Sequence, residues 1–176
     1  MSRVTRSIAS AALAAFVGAS AAAGAQAVPV GDPSFLHEGE LVEVYLKDHP
    51  DIPLRWSGNG AVLDERPSLW RFEGVERDGR EFTLERIVHV SSGRCLASAA
   101  GIGPSTAPRL TYCAYAEPWR VHVDWHKDPV DFRIIDSRGL HLGTERNYSF
   151  PGDQVILEEP KGWHKEEWRV RAPESA

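Results

Sequence analysis

Leu69-Trp70-Arg71-Phe72, Pro118-Trp119-Arg120-Val121 and Glu167-Trp168-Arg169-Val170 are three versions of one short stretch, and their spacing decides the fold. The steps from Trp70 to Trp119 and from Trp119 to Trp168 are each 49 residues, with Arg behind every Trp and an apolar residue two places on. A fixed step of that length predicts a threefold internal repeat.

Outward from Trp119, the second copy reads most clearly. Phe82-Thr83-Leu84 and Ile87-Val88 predict a strand, Ser91-Ser92-Gly93 a turn, and Cys95-Leu96 a second strand. Small residues and prolines from Ala97 to Pro108 form a loop before Leu110-Thr111-Tyr112-Cys113. Trp119, Val121, Val123 and Trp125 then alternate with Arg120, His122, Asp124 and His126, a period of two that puts the first set on the core.

The third copy repeats the order in Phe132-Arg133-Ile134-Ile135, Ser137-Arg138-Gly139-Leu140, His141-Leu142, Val155-Ile156-Leu157 and Trp168-Arg169-Val170. The first follows it in Leu41 to Leu46, Ile52-Pro53-Leu54, Ala61-Val62-Leu63 and Trp70-Arg71-Phe72. Pro and Gly recur too often for an amphipathic helix. No such four-strand unit buries its own apolar face, whereas three units around an axis bury them together and close the sheet. The expected fold is an all-β trefoil of three four-stranded repeats with pseudo-threefold symmetry, at about 41–75, 76–126 and 127–171. A three-bladed propeller falls below the usual range of blades.

The amino end reads as an export signal. Arg3 and Arg6 precede an Ala-rich apolar stretch that reaches Ala25-Gln26-Ala27, a small-x-small cleavage pattern. Cleavage after Ala27 would leave a lead-in over 28–40 and one domain over 41–176, in a secreted protein, extracellular or periplasmic. Removing two Arg changes the formal charge from −5 to 18 minus 25, or −7. An acidic chain lacks the basic footprint that nucleic acid or an anionic membrane requires. Cys95 and Cys113 are the two cysteines, 18 residues apart. In an oxidising compartment they read as one disulfide, with free or metal-bound thiols as the alternative.

Gly93-Arg94-Cys95-Leu96, then Leu110-Thr111-Tyr112-Cys113, then Trp119 six residues on, resemble the ricin-type lectin family of β-trefoils, whose pattern is Gly-x-Cys-Leu, an apolar strand ending in Cys, and Gln-x-Trp. Ser68, Glu117 and Glu166 stand where the family has Gln. Ala97 and Gly143 stand where it places the Asp that grips sugar hydroxyls. The resemblance implies a lectin-like carbohydrate-binding trefoil with an altered sugar pocket, and no cofactor. The stretch from Phe132 through Gly139-Leu140-His141-Leu142-Gly143 to Val155 and Trp168 is also similar to β-trefoil serine-protease inhibitors. That second likeness implies an extracellular protein partner, a protease, engaged through a stiff loop.

Two loops carry candidate sites. A sugar site needs a flat ring together with amide and carboxylate groups, and the third copy supplies Glu145, Asn147, Tyr148, Asp153, Gln154 and Trp163. An inhibitory loop would use Pro104, Pro108 and Arg109. His122, Asp124 and His126 share one face at a spacing that ligates metals, but read as the solvated side of a strand. No His-Glu-x-x-His, Gly-x-Ser-x-Gly, P-loop or Gly-x-Gly-x-x-Gly pattern occurs, so the expectation is a binding protein without catalytic residues.

Overall fold

A computed structural model describes residues 39–58, 60–78, 82–99, 105–124, 130–145, 149–161 and 164–173. Within them the chain forms twelve strands: β1 Leu41–Leu46, β2 Leu54–Trp56, β3 Ala61–Leu63, β4 Trp70–Asp78, β5 Phe82–His89, β6 Arg94–Ala97, β7 Arg109–Thr111, β8 Trp119–Asp124, β9 Asp131–Ile135, β10 His141–Thr144, β11 Val155–Glu158 and β12 Trp168–Arg171. The lead-in up to residue 38 lies outside the described residues.

Six strands close on themselves. β1 pairs β4, β4 pairs β5, β5 pairs β8, β8 pairs β9, β9 pairs β12, and β12 returns to β1, all antiparallel. Closure leaves this barrel with no unpaired edge. Outside the ring lie the hairpins β2–β3, β6–β7 and β10–β11.

The period of two decides what the barrel holds. Along β8, Trp119, Val121 and Val123 are buried while Arg120, His122 and Asp124 are exposed or half-buried. Trp70, Trp119 and Trp168 are among the largest fully buried side chains, in one cluster with Phe72, Ile87, Phe132, Ile134 and Leu142. A buried indole N–H needs an acceptor. Each finds the same kind: Trp70 Nε1 donates to Leu54 O at 3.2 Å, Trp119 Nε1 to Leu96 O at 2.8 Å, and Trp168 Nε1 to Leu142 O at 2.8 Å. The repeating Trp therefore clamps the first strand of each outer hairpin to the barrel.

Three details differ from the sequence reading. β4 runs on to Asp78, with a register shift between Gly74 and Glu76, so the β4–β5 arm passes the unit boundary expected at 75. Ile52 and Pro53 are buried ahead of β2 and outside it, since Pro brings no ladder donor. β7 stops at Thr111, where a 3-10 turn, Cys113–Tyr115, replaces the expected Tyr112-Cys113 end of the strand. The Cys95–Cys113 disulfide, with Cα atoms 4.8 Å apart, ties this turn back onto β6. Beneath it Val88, Cys95, Ala97 and Ala116 form a small second core.

Charges seal the last barrel seam. Lys47 on the β1 side meets Asp131 at 3.1 Å and Glu167 at 3.0 Å, Arg169 Nε reaches Asp131 Oδ1 at 2.6 Å, and Arg133 reaches Glu167 at 3.3 Å. Burial works against the charged ammonium of Lys47, but the two carboxylates outweigh it and raise its pKa. Among the described residues no helix is long and apolar enough to cross a membrane.

Candidate functional site

The two loops singled out in sequence meet. At the end of the 97–109 loop, Ser105 N donates to Leu157 O at 2.7 Å, and Leu157 N donates to Thr106 O at 2.9 Å. These bonds add the loop as a short outer rung on β11. Ser105 takes φ +72°, the one positive φ outside glycine among the described residues. Such a backbone is costly for a residue with a Cβ and persists where the surroundings impose it.

Beside this rung opens a cleft of about 290 Å³ lined by Ser105, Glu145, Gly152, Asp153, Gln154 and Ile156. The turn that shapes it is held by one bond of its own and by two to Leu63 of β3. Phe150 N donates to Asp153 Oδ2 at 2.9 Å, Gly152 N to Leu63 O at 2.7 Å, and Leu63 N to Asp153 O at 3.0 Å. Gly152 at φ +92° supplies the left-handed residue the turn needs. Glu145 and Gln154 are exposed and Asp153 half-buried, so carboxylate and amide groups line the cleft above Ile156.

Of the sequence-selected sugar residues, Glu145, Asp153 and Gln154 thus share one cleft, while Asn147, Tyr148 and Trp163 lie outside the described residues. Gly152 and Ile156 belong to the same hairpin as Asp153 and Gln154, whereas Ser105 was not legible, because it joins them only through the rung between Thr106 and Leu157. In the inhibitory-loop set, Pro104 lies outside the described residues, Pro108 is buried, and Arg109 is exposed but sits in β7 opposite Ala97. His122 and Asp124 line a recess of about 50 Å³ with Asp131, Arg133 and Glu167, and His126 lies outside the described residues. Among the described residues no group of three or more His, Cys, Asp or Glu is arranged to hold a metal ion.

The indole clamp fixes Leu96 and Leu142 as equivalent, so Ala97 and Gly143, the residues that follow them, are equivalent too. There is no room for a side chain at Gly143, where a Cβ would stand 2.8 Å from Lys165 O and 3.1 Å from Glu158 Oε1. Ala97 is itself buried in the second core. Glu166, two residues before Trp168, is fully buried and accepts from His141 Nδ1 at 2.7 Å and from Lys161 N at 2.9 Å. Burial disfavours its charge, but these hydrogen bonds and the charges of His141 and Arg133 hold its carboxyl below the usual range. Ser68, in the same place in the first copy, accepts from Trp56 N at 3.0 Å and meets His89 Nε2 at 3.2 Å.

Comparison with solved structures gives the same architecture. A designed threefold-symmetric protein, ThreeFoil, matches with a TM-score of 0.61 and 15% identity, over 76% of this chain and 99% of its own. A ricin B-like lectin of Macrolepiota procera, solved with lactose, matches with a TM-score of 0.57 and 16% identity, over 77% of this chain and 97% of its own. The chain resembles the ricin-type β-trefoils. A salivary protein of Culex quinquefasciatus, of a cysteine- and tryptophan-rich family, also matches with a TM-score of 0.57 and 17% identity, over 76% of this chain and 94% of its own. At these identities the likeness is one of fold. No family model and no curated protein matches the sequence.

Proposed function

We propose that this chain is a secreted, non-enzymatic trefoil of three four-stranded units about a pseudo-threefold axis that binds carbohydrate at the tip of the β10–β11 hairpin. The observation that carries the reading is the cleft. It draws Glu145, Asp153 and Gln154, chosen as hydroxyl-binding groups, around one opening of about 290 Å³. Carboxylate and amide oxygens accept from sugar hydroxyls, the Gln154 amide donates to them, and Ile156 offers an apolar floor. The sugar pocket is altered in the sense that its carboxylates come from the hairpin tip, since the position held by Gly143 is closed by Lys165. The disulfide is compatible with export and with removal of residues 1–27.

A glycan array followed by calorimetry tests this. Gln154→Ala and Glu145→Ala are expected to weaken binding of the best glycan on the order of tenfold each, the worth of a hydrogen bond to a charged or amide group. An array with no bound glycan, or variants that bind as tightly as the parent, would sink it. Protease inhibition through Arg109 has less support, because its main chain is paired in the β6–β7 ladder while a protease cleft pairs with the main chain of its inhibitor.

A further inference from the structure

Of the three hairpins outside the barrel, the second is joined to the third and the third to the first by the same pair of main-chain bonds. In each hairpin the leucine whose carbonyl takes the indole N–H, Leu54, Leu96 or Leu142, stands opposite a second leucine, Leu63, Leu110 or Leu157. Five residues before that second leucine the backbone turns left-handed each time, at Gly58 (φ +89°), Ser105 (φ +72°) and Gly152 (φ +92°). Ser105 N donates to Leu157 O at 2.7 Å and Leu157 N to Thr106 O at 2.9 Å. Gly152 N donates to Leu63 O at 2.7 Å and Leu63 N to Asp153 O at 3.0 Å.

The third junction, from the first hairpin to the second, is open. From the clamped leucine to the left-handed residue is four residues in the first hairpin (Leu54 to Gly58), against nine (Leu96 to Ser105) and ten (Leu142 to Gly152). The short turn closes on itself instead, with Ser57 N donating to Gly60 O at 3.0 Å. β7 consequently ends its sheet, and among the described residues Leu110 N and O have no partner on that edge. Burial agrees, since Leu63 and Leu157 are fully buried and Leu110 only half-buried. A main-chain donor and acceptor at an open edge form a template for another strand.

We infer that the β7 edge takes an extended segment of another protein by main-chain pairing at Leu110, the segment reading Gly, any residue, then Asp or Glu. The two filled junctions specify it. A residue able to turn left-handed, best a glycine, donates to Leu110 O, and the carbonyl of the next residue accepts from Leu110 N. The residue after that faces Arg109, as Gln154 stands opposite Val62, the residue before Leu63. Arg109 is exposed and has no carboxylate partner among the described residues, so an acid in that place forms a cross-strand ion pair with it. Leu110 does not line the cleft, and the edge is independent of the carbohydrate site.

Hydrogen exchange and amide chemical shifts of the isotope-labelled protein test this. In the free protein the Leu110 amide is expected to exchange at least about tenfold faster than those of Leu63 and Leu157. The probe is an acetylated, amidated octapeptide copied from Ser149 to Ile156 with Gln154→Glu, titrated to millimolar concentration. It should shift the Leu110 amide and slow its exchange. N-methylation of the peptide glycine removes the donor to Leu110 O and weakens binding about tenfold. The Glu peptide binds about threefold more tightly than the Gln peptide, and Arg109→Gln abolishes that difference. Near-ultraviolet circular dichroism checks that this exposed substitution leaves the fold intact. No shift at Leu110, shifts confined to Asp153 and Gln154 of the cleft, an N-methyl peptide that binds as tightly as its parent, or a Glu preference that survives Arg109→Gln would each overturn the inference. So would a Leu110 amide as slow in the free protein as the other two, the edge then being closed by residues 28–38 if their removal restores exchange, or by a second copy if dilution does.

Discussion

The β6–β7 and β10–β11 hairpins hang from the barrel by the same bond, a Trp N–H to the carbonyl of Leu96 or Leu142, yet they are secured by opposite chemistry. The residue before that Leu is Cys95 in one and His141 in the other, each opposite an apolar residue of the preceding barrel strand, Val88 or Ile135. Cys95 is tied covalently to Cys113 over a small apolar core. His141 meets Glu166 at 2.7 Å, and its cross-strand neighbour Glu158 gathers Lys165 at 2.9 Å and Lys161 at 3.0 Å. The barrel asks each hairpin only for a well-placed carbonyl. What fastens the return segment to it is left open, and each copy answers differently.

The ionic fastening is the easier to break. Glu158 is 2% exposed and Lys165 6%, and among the described residues Glu158 Oε1 has no hydrogen-bond partner. Lys165→Met leaves that carboxylate buried with the half-exposed Lys161 as its remaining cation, and is expected to cost about 3–5 kcal/mol in urea unfolding. Adding Glu158→Gln should recover much of the loss, because a buried pair removed whole costs far less than one removed by half. A Lys165→Met protein within 1 kcal/mol of the parent would show the network to be incidental.

The covalent fastening comes next. Cys95→Ala with Cys113→Ala opens a loop with a sequence separation of 18, for a loss of about 3 kcal/mol. Hydrogen exchange separates the two devices. Reductant at neutral pH should release amides of β6 and β7 first, whereas acid under oxidising conditions should release those of β10 and β11 first, since Glu166 is held ionised by its partners. Simultaneous loss of both hairpins under either condition would mean that they are one cooperative unit.

A smaller effect distinguishes Ala97 from Gly143. A Cβ already fits at Ala97, but at Gly143 it would meet the Lys165 carbonyl at 2.8 Å, and backbone does not move aside cheaply. Gly143→Ala is expected to cost about 1–3 kcal/mol by overpacking, and Ala97→Gly about 0.5–1 kcal/mol. Thermal unfolding checks the order, and equal costs would deny the close approach.

What the sequence disclosed follows from which forces are local. The alternation along β8 and the 49-residue step of the tryptophans are carried by neighbouring residues and by one recurring stretch, and they reach the barrel as the alternating burial of Trp119 to Asp124 and the common burial of the three indoles, with Trp125 outside the described residues. The disulfide was legible for a different reason, two cysteines in a chain that reads as exported. The cleft was half legible. Glu145, Asp153 and Gln154 stand out by type, but Ser105 joins them only because the loop pairs with β11. For Glu158, Lys165 and Glu166 no local pattern shows that three charged residues turn inward together. Nor does a strand-like Leu-Thr-Tyr-Cys announce that its Tyr will turn out into water just ahead of a 3-10 turn.

The smallest expected effect lies where β5 and β9 end ahead of the two hairpins, at His89 and Asp136, which follow Val88 and Ile135 and are both buried. His89 lies 5.1 Å from the Trp70 ring and meets Ser92 at 2.9 Å and Ser68 at 3.2 Å, and its burial lowers the pKa below the ordinary 6.5. Burial pushes Asp136 the other way, but the N–H groups of Leu140 and Arg138, the Arg138 side chain and Ser98 outweigh it, so its pKa falls below the ordinary 3.8. Both folded pKa values are depressed, so in each window the unfolded chain binds the extra proton and stability falls as pH falls. For His89 the window opens below 6.5 and for Asp136 below 3.8. One proton changes stability by at most about 1.4 kcal/mol per pH unit. His89→Gln should flatten the stability curve just below pH 6.5 and leave the acid limb, while Asp136→Asn should do the reverse. Denaturant titrations across pH 3 to 8 that show one limb unchanged in both variants would assign that limb to another group.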